Sequence, residues 1–387
     1  MAIKPPNLAA LARGLVITAA VVAVAGWPAA ASASSGWTVQ PTPVLPIGGD
    51  LTAVSCTSGT SCTAVGYSKV GKRSAWTVAL AESWDGSAWA TQAVPIPGGT
   101  RSSGLFAVSC TSAASCTAVG YYMDASGTQF ALTEHWDGSA WAMQATPSPA
   151  GSTSSALYGV SCSAATSCTE VGRYNDASGN ELTLAEHWDG NAWSVQATPS
   201  PDPSANILNA VSCPSAAECF AVGWHNANKP GTVGIIERWQ SGVWRVQRTD
   251  ISADALINDI SCASASSCTA VGSMGGGGAG GMLADYWNGS AWTVQPVPGP
   301  AAANGQLSGV SCPSQAHCTA VGLATNTQGK LFVLAEVTSG GTWRAQAMAR
   351  PPLSEAMSGI SCTTAGGCTA VGGHTRGLTG QPLAEHR

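Results

Sequence analysis

The sequence predicts an all-β fold: a seven-bladed β-propeller of four-stranded antiparallel blades, with its ring closed by a strand from the N-terminal end. Three observations predict it. The string [VI]-S-C recurs at 54–56, 108–110, 160–162, 211–213, 260–262, 310–312 and 360–362, so successive first cysteines lie 49 to 54 residues apart. Each unit holds four short runs rich in Val, Thr, Leu and Trp, separated by Gly, Asp, Asn and Pro, which suits radial blades better than a solenoid. The string W-x-x-Q occurs at Trp89, Trp141, Trp193, Trp244, Trp292 and Trp343, and once more at Trp37, ahead of the first unit.

The elements follow in order. The repeats begin near 51, 105, 157, 208, 257, 307 and 357, and strand one reads L-T-A-V-S-C (51–56). Strand two is C-T-A-V-G (62–66), and a variable polar or Gly-rich loop follows it. Strand three is typified by FALTEHW (130–136), a D-G-S-A turn comes next, and strand four is WAMQA (141–145). The seventh unit reaches L-A-E-H-R (383–387), its third strand, and Trp37-Thr38-Val39-Gln40 supplies its fourth. Closure of that kind pairs the two edges that would otherwise template aggregation. The propeller is therefore expected over 34–387, with 37–40 completing the last blade.

Residues 1–33 read as a signal peptide. Lys4 and Arg13 form a positive n-region, LVITAAVVAVAGW (15–27) is apolar but short for a membrane span, and Ala31-Ser32-Ala33 fits a cleavage site. An uncleaved anchor is the alternative. Without Lys4 and Arg13, 14 basic residues face 21 acidic ones, a net charge of −7. That balance leaves no electrostatic footprint for nucleic acid or an anionic membrane. The expected product is a secreted, extracellular monomer with no membrane span after cleavage.

All 14 cysteines fall in C-x5-C pairs, two per unit. A metal site needs further Cys or His ligands, and none recurs. In an exported chain the pairs read as disulfides Cys56–Cys62, Cys110–Cys116, Cys162–Cys168, Cys213–Cys219, Cys262–Cys268, Cys312–Cys318 and Cys362–Cys368. Each closes a short hairpin and is worth about 2 kcal/mol at most.

This pattern resembles secreted β-propeller repeat proteins of the actinobacterial type. The W-D-G-S-A-W turn also resembles the Asp-box, D-x-G-x-x-W, of sialidase-like propellers, but Asp85-Gly86-Ser87-Ala88-Trp89 is one residue shorter. Both resemblances imply propeller geometry. Neither carries an activity across, because arginine is sparse and the R-I-P type motif of sialidases is missing.

The repeated residues read as structural. Trp84, Trp136, Trp188, Trp239 and Trp287 precede the turn, and the W-x-x-Q tryptophans follow it; either set could offer a sugar platform, yet every blade needs packing against its neighbour. The acids Glu82, Glu134, Glu186, Glu237, Asp285, Glu336 and Glu385 recur once per unit. A pair of them suits acid/base chemistry, whereas a sevenfold set suits a repeated hydrogen-bond acceptor. GGGGAGG (275–281) lies between strands with no helix to receive a phosphate, and NDASGN (175–180) reads as a turn. No cofactor is expected.

Propeller geometry puts the one–two and three–four turns on one face, nearly identical around the ring. The two–three and four–one loops share the other face and carry what varies. One ligand requires broken symmetry, so the variable face is the candidate ligand face, with Tyr122, Tyr174, Trp224 and His225 as candidate contacts. The expected function is a non-catalytic extracellular binding or scaffolding module for a glycan, a cell-wall component or a protein. The alternative is a propeller-type carbohydrate-active enzyme, a sialidase-like glycoside hydrolase or a lyase, and no unrepeated catalytic set supports it.

Overall fold

The computed structural model describes residues 36–387 apart from 72–75, 227–230, 252–253, 276–279, 299–303, 326–328, 330, 340, 347, 350–354, 365 and 377–378. The expected signal segment 1–33, and the centre of the glycine run, lie outside the described residues. The chain forms seven four-stranded antiparallel sheets, each a blade. Blade 1 comprises β2 (Gly49–Ser58), β3 (Ser61–Lys69), β4 (Thr77–Trp84) and β5 (Trp89–Gln92), in that order outward from the axis. Blades 2 to 6 repeat this plan through β25. Blade 7 contains β26 (Glu355–Cys362), β27 (Cys368–Arg376) and β28 (Thr379–His386), and its outer strand is β1 (Thr38–Gln40). Ring closure by the N-terminal strand is thus realised, with Thr38 opposite His386 and Gln40 opposite Ala384.

The first two strands are longer than their sequence cores, because the hairpin ladder continues past the cysteines and past the glycine into the loops. Each blade is buried on both faces, which is why its strands read as unbroken apolar runs rather than as alternation. Successive residues serve opposite seams. Ala64 packs with Val371 and Ala384 of blade 7, while Val65 packs with Leu105 and Ala118 of blade 2. One apolar cluster of this kind occupies each of the seven seams.

The seven cysteine pairs are bonded as expected, with Cα atoms 3.9 to 4.1 Å apart. The serine beside each first cysteine has a use that the repeat alone did not reveal. Ser55 Oγ accepts the backbone N–H of Cys110 in the next blade at 3.0 Å, and the pattern runs round the ring until Ser361 accepts from Cys56 at 3.0 Å. The W-x-x-Q string makes a second belt. Trp89 Nε1 donates to Gln40, Trp141 to Gln92 and Trp193 to Gln144, each across a seam at 2.8 to 2.9 Å.

The recurrent acids are fully buried. Among the described residues, no donor lies within hydrogen-bond reach of either oxygen of Glu82, Glu134, Glu237 or Glu336. Glu385 receives a backbone N–H, from Ala349 at 3.0 Å. Ala349 is the sixth residue after its blade tryptophan; the same place in five other blades holds Pro43, Pro95, Pro147, Pro199 and Pro298, which have no N–H to give. The expected repeated acceptor is therefore a repeated buried carboxyl. Burial pushes it up to about 7 in Glu82 and Glu336 and about 8 in Glu134 and Glu237.

Candidate functional site

What breaks the sevenfold symmetry is the residue carried by a β-bulge that recurs in each inner strand. In blade 1, Leu51 pairs with Gly66 and Ala53 with Val65, so Thr52 is the extra residue; the other six blades slip at the same place. A bulge re-aims a side chain, and here it aims into the axis. The glycine of each A-V-G run makes this possible. A Cβ on Gly66 would lie 2.0 Å from the Asp50 carbonyl oxygen, and on Gly120 2.0 Å from that of Gly104.

The bulge residues are Thr52, Phe106, Tyr158, Asn209, Asn258, Ser308 and Ser358, and together they line an axial cavity of about 300 Å³. Seven equivalent places thus carry five residue types. On the blade 2–3 side, the Phe106 ring lies between Tyr121, at 5.5 Å and nearly parallel, and Tyr158, at 5.3 Å and tilted. On the blade 4–5 side, Asn209 Nδ2 donates to the Ile257 carbonyl at 2.9 Å and Asn258 Nδ2 to the Leu307 carbonyl at 2.8 Å. Thr52 Oγ1 likewise donates to Leu105 O at 2.8 Å.

Arg173 fixes the aromatic side. Its Nε donates to the Tyr158 hydroxyl at 2.9 Å, one Nη to Asn175 Oδ1 at 3.0 Å, and its charge is met by Glu181 at 2.5 Å. At blade 1 the Tyr67 hydroxyl donates to Asp50 Oδ2 at 2.6 Å; burial and that carboxylate raise the phenol well above its usual range.

The four candidates from the sequence divide by register. Trp224 directly follows its glycine, as Tyr67, Tyr121 and Arg173 follow theirs, and it is half-buried at the rim. His225 follows it, also half-buried, with Nδ1 2.9 Å from Asn226 O. Tyr122 and Tyr174 share the register of His225, two residues past their glycines, and pack into the seams. Tyr122 stacks on Phe130 at 5.3 Å and packs on the blade 1–2 cluster, and Tyr174 packs on the blade 2–3 cluster. Sequence reasoning passed over Phe106, Tyr121, Tyr158, Arg173, Asn209 and Asn258. The available signal was the second position of L-x-A-V-S-C, which holds Thr, Phe, Tyr, Asn, Asn, Ser and Ser in the seven blades. The turn reading of NDASGN is realised: Asp176 Oδ1 accepts from the N–H groups of Ser178 and Asn180.

Fold and site together define a seven-bladed β-propeller with repeated seams and one asymmetric axial mouth. No family model matches the chain, and no curated protein matches its sequence. Solved structures do share the fold. YCF48 from Cyanidioschyzon merolae superposes with a TM-score of 0.52 at 12% identity, over 91% of this chain and 98% of its own. A structure of YCF48 bound to D1 peptide gives 0.54 at 10% identity, over 91% and 96%. A protein of unknown function from Dyadobacter fermentans gives 0.53 at 7% identity, over 91% and 97%. At these identities the likeness is one of fold.

Proposed function

We propose that the protein is a secreted, non-catalytic binding module whose ligand seats at the axial mouth on the variable face. The observation that carries this reading is the bulge position. Seven equivalent strands present five residue types at this position, so the walls of one cavity differ from blade to blade. Rigid strand ends presenting a few unlike side chains are what a binding site requires. The non-catalytic part is supported by where the acids lie. Catalysis needs an acid, a base or a nucleophile held in mutual reach; the recurrent carboxyls are distributed one to a blade in the seams, and Asp259, which lines the cavity, has its two oxygens engaged by the N–H groups of Ile260 and Val310. Secretion is supported by the seven disulfides, which persist in oxidising surroundings, and by the N-terminal apolar stretch. YCF48 was solved with a bound peptide, which supports a protein ligand beside the glycan and cell-wall classes.

The test is a binding screen of the purified protein against glycans, cell-wall fractions and peptides. Replacing Trp224 and His225 together by Ala is expected to weaken the ligand found by roughly tenfold, as for a rim contact with an aromatic anchor. Trp141→Ala is expected chiefly to lower the melting temperature. Turnover of a glycoside by the purified protein, abolished by one acidic substitution, overturns this reading in favour of the enzyme.

A further inference from the structure

Resting on that reading of the mouth, we infer that its ligand is a neutral saccharide, one unit of which enters the axial cavity. Three features of the lining specify this chemistry. The first is charge. Among the described residues, Arg173 is the cation that reaches the bulge residues, through Tyr158, and Glu181 and Asn175 already occupy it. An anionic ligand such as a nucleotide or an acidic sugar would need an unspent cation.

The second feature is the placing of donors and acceptors. Tyr158 accepts from Arg173 Nε, so its own O–H is left to donate, and the neighbouring guanidinium polarises it into a stronger donor. Asn209 and Asn258 each spend an N–H on the next blade's carbonyl, which fixes the amide and leaves Oδ1 as an acceptor toward the axis. One donor and two acceptors on three adjacent blades match a ring of hydroxyls, each of which both gives and takes a hydrogen bond. The third feature is Phe106, half-buried within a stack of three rings opposite those amides. It offers an apolar surface to the C–H side of a sugar ring while the amides meet its hydroxyl edge. A peptide adding as a further strand would need a free strand edge. At the inner edge, the Leu105, Ile257 and Leu307 carbonyls and the N–H groups of the first cysteines are already bonded from blade to blade.

Isothermal titration of the purified protein with cellobiose, maltose and chitobiose tests the inference. Saturable binding of at least one disaccharide is expected, weakened roughly tenfold by Phe106→Ala and kept by Phe106→Tyr, which retains the ring. Tyr158→Phe removes only the hydroxyl and is expected to weaken binding roughly fivefold. That variant carries the test should Phe106→Ala fail to fold. Failure of all three disaccharides overturns the saccharide assignment. If a peptide array then yields a ligand lost in Tyr158→Phe, the binding-module reading stands without it. Saccharide binding indifferent to both positions overturns the placement in the mouth. Hydrolysis of a bound disaccharide overturns the non-catalytic reading and leaves the saccharide class standing.

Discussion

A carboxyl buried with nothing to donate to it keeps its proton, because the charged form has lost its water and gained no partner. Glu82, Glu134, Glu237 and Glu336 are such groups, and the cause is local: proline stands where Ala349 offers its N–H to Glu385. Glu170 adds a second acid beside Glu186 in blade 3, and burial followed by their mutual repulsion raises it well above the usual carboxylate range. In blade 5, burial pushes Asp285 up to about 7, and Asp250 adds to the effect. The sign of the linkage follows. These groups bind protons more tightly folded than unfolded, so their contribution is full below the unfolded value, about 4.5, and is lost as pH rises through the folded values of about 7 to about 8. Melting curves recorded from pH 4.5 to 8.5 are expected to show highest stability at the acid end. Glu134→Gln is expected to leave the melting temperature nearly unchanged at pH 4.5 and raise it by roughly 2–4 °C at pH 8. A wild-type optimum above pH 7 contradicts the account.

At the scale of the element, blades are tied by belts of side-chain hydrogen bonds, and one seam departs from the rest. Thr63, Thr117 and Thr169 each place a hydroxyl 3.6 to 3.8 Å from the second cysteine sulfur of the next blade. In blade 4 that threonine is Phe220, whose ring packs instead on Trp287 and Trp292 of blade 5 at 5.7 and 5.9 Å. Arg238, paired with Glu218, lies over both Phe220 and Trp287. The same seam lacks its tryptophan–glutamine bond: Gln247 donates back to Arg245 O, and the buried Trp292 Nε1 has no acceptor among the described residues. Aromatic and cation–π packing replaces two polar ties between blades 4 and 5. This makes a matched pair of substitutions informative. Trp141→Phe loses the 2.8 Å bond to Gln92 as well as ring area, whereas Trp292→Phe loses ring area only. The first is expected to cost about 1 kcal/mol more in urea denaturation. Equal costs would mean that the belt contributes nothing beyond packing.

For the whole molecule, closure rests on a short strand with long reach. Trp37 is buried in the blade 6–7 cluster and donates to Gln346 at 3.3 Å, and Gln40 accepts from Trp89 in blade 1. Beyond the strand, Gln381 brackets the backbone of Leu45, accepting its N–H at 2.9 Å and donating to its carbonyl at 3.0 Å. One segment therefore ties three blades together. Deleting residues 34–43 removes the strand and frees the edge of β28, and a free edge pairs with whatever strand it meets. The deletion is expected to lower the melting temperature and to produce dimers or larger species by size exclusion with light scattering. If both stay as in the full chain, the strand does not close the ring.

The number of blades, the order of strands, the cysteine pairs and the closing strand are properties of a period, and a period is written in the sequence seven times over. Each copy corroborates the others, so a count of W-x-x-Q against third strands suffices to place Trp37–Gln40 across the ring from where the chain has it. The site has no such redundancy. The start of the variable two–three loops singles out Tyr122 and Tyr174 and leaves Phe106 and Tyr158 unnoticed. The inner-strand bulge inserts one residue and reverses the facing of all that follow. That bulge exists because seven strands must converge on an axis, with the Gly66 position letting the Asp50 carbonyl approach to a distance no side chain would permit. Which residue enters the cavity is thus decided by how close two backbones come, and that distance is set by the closed ring rather than by any single blade.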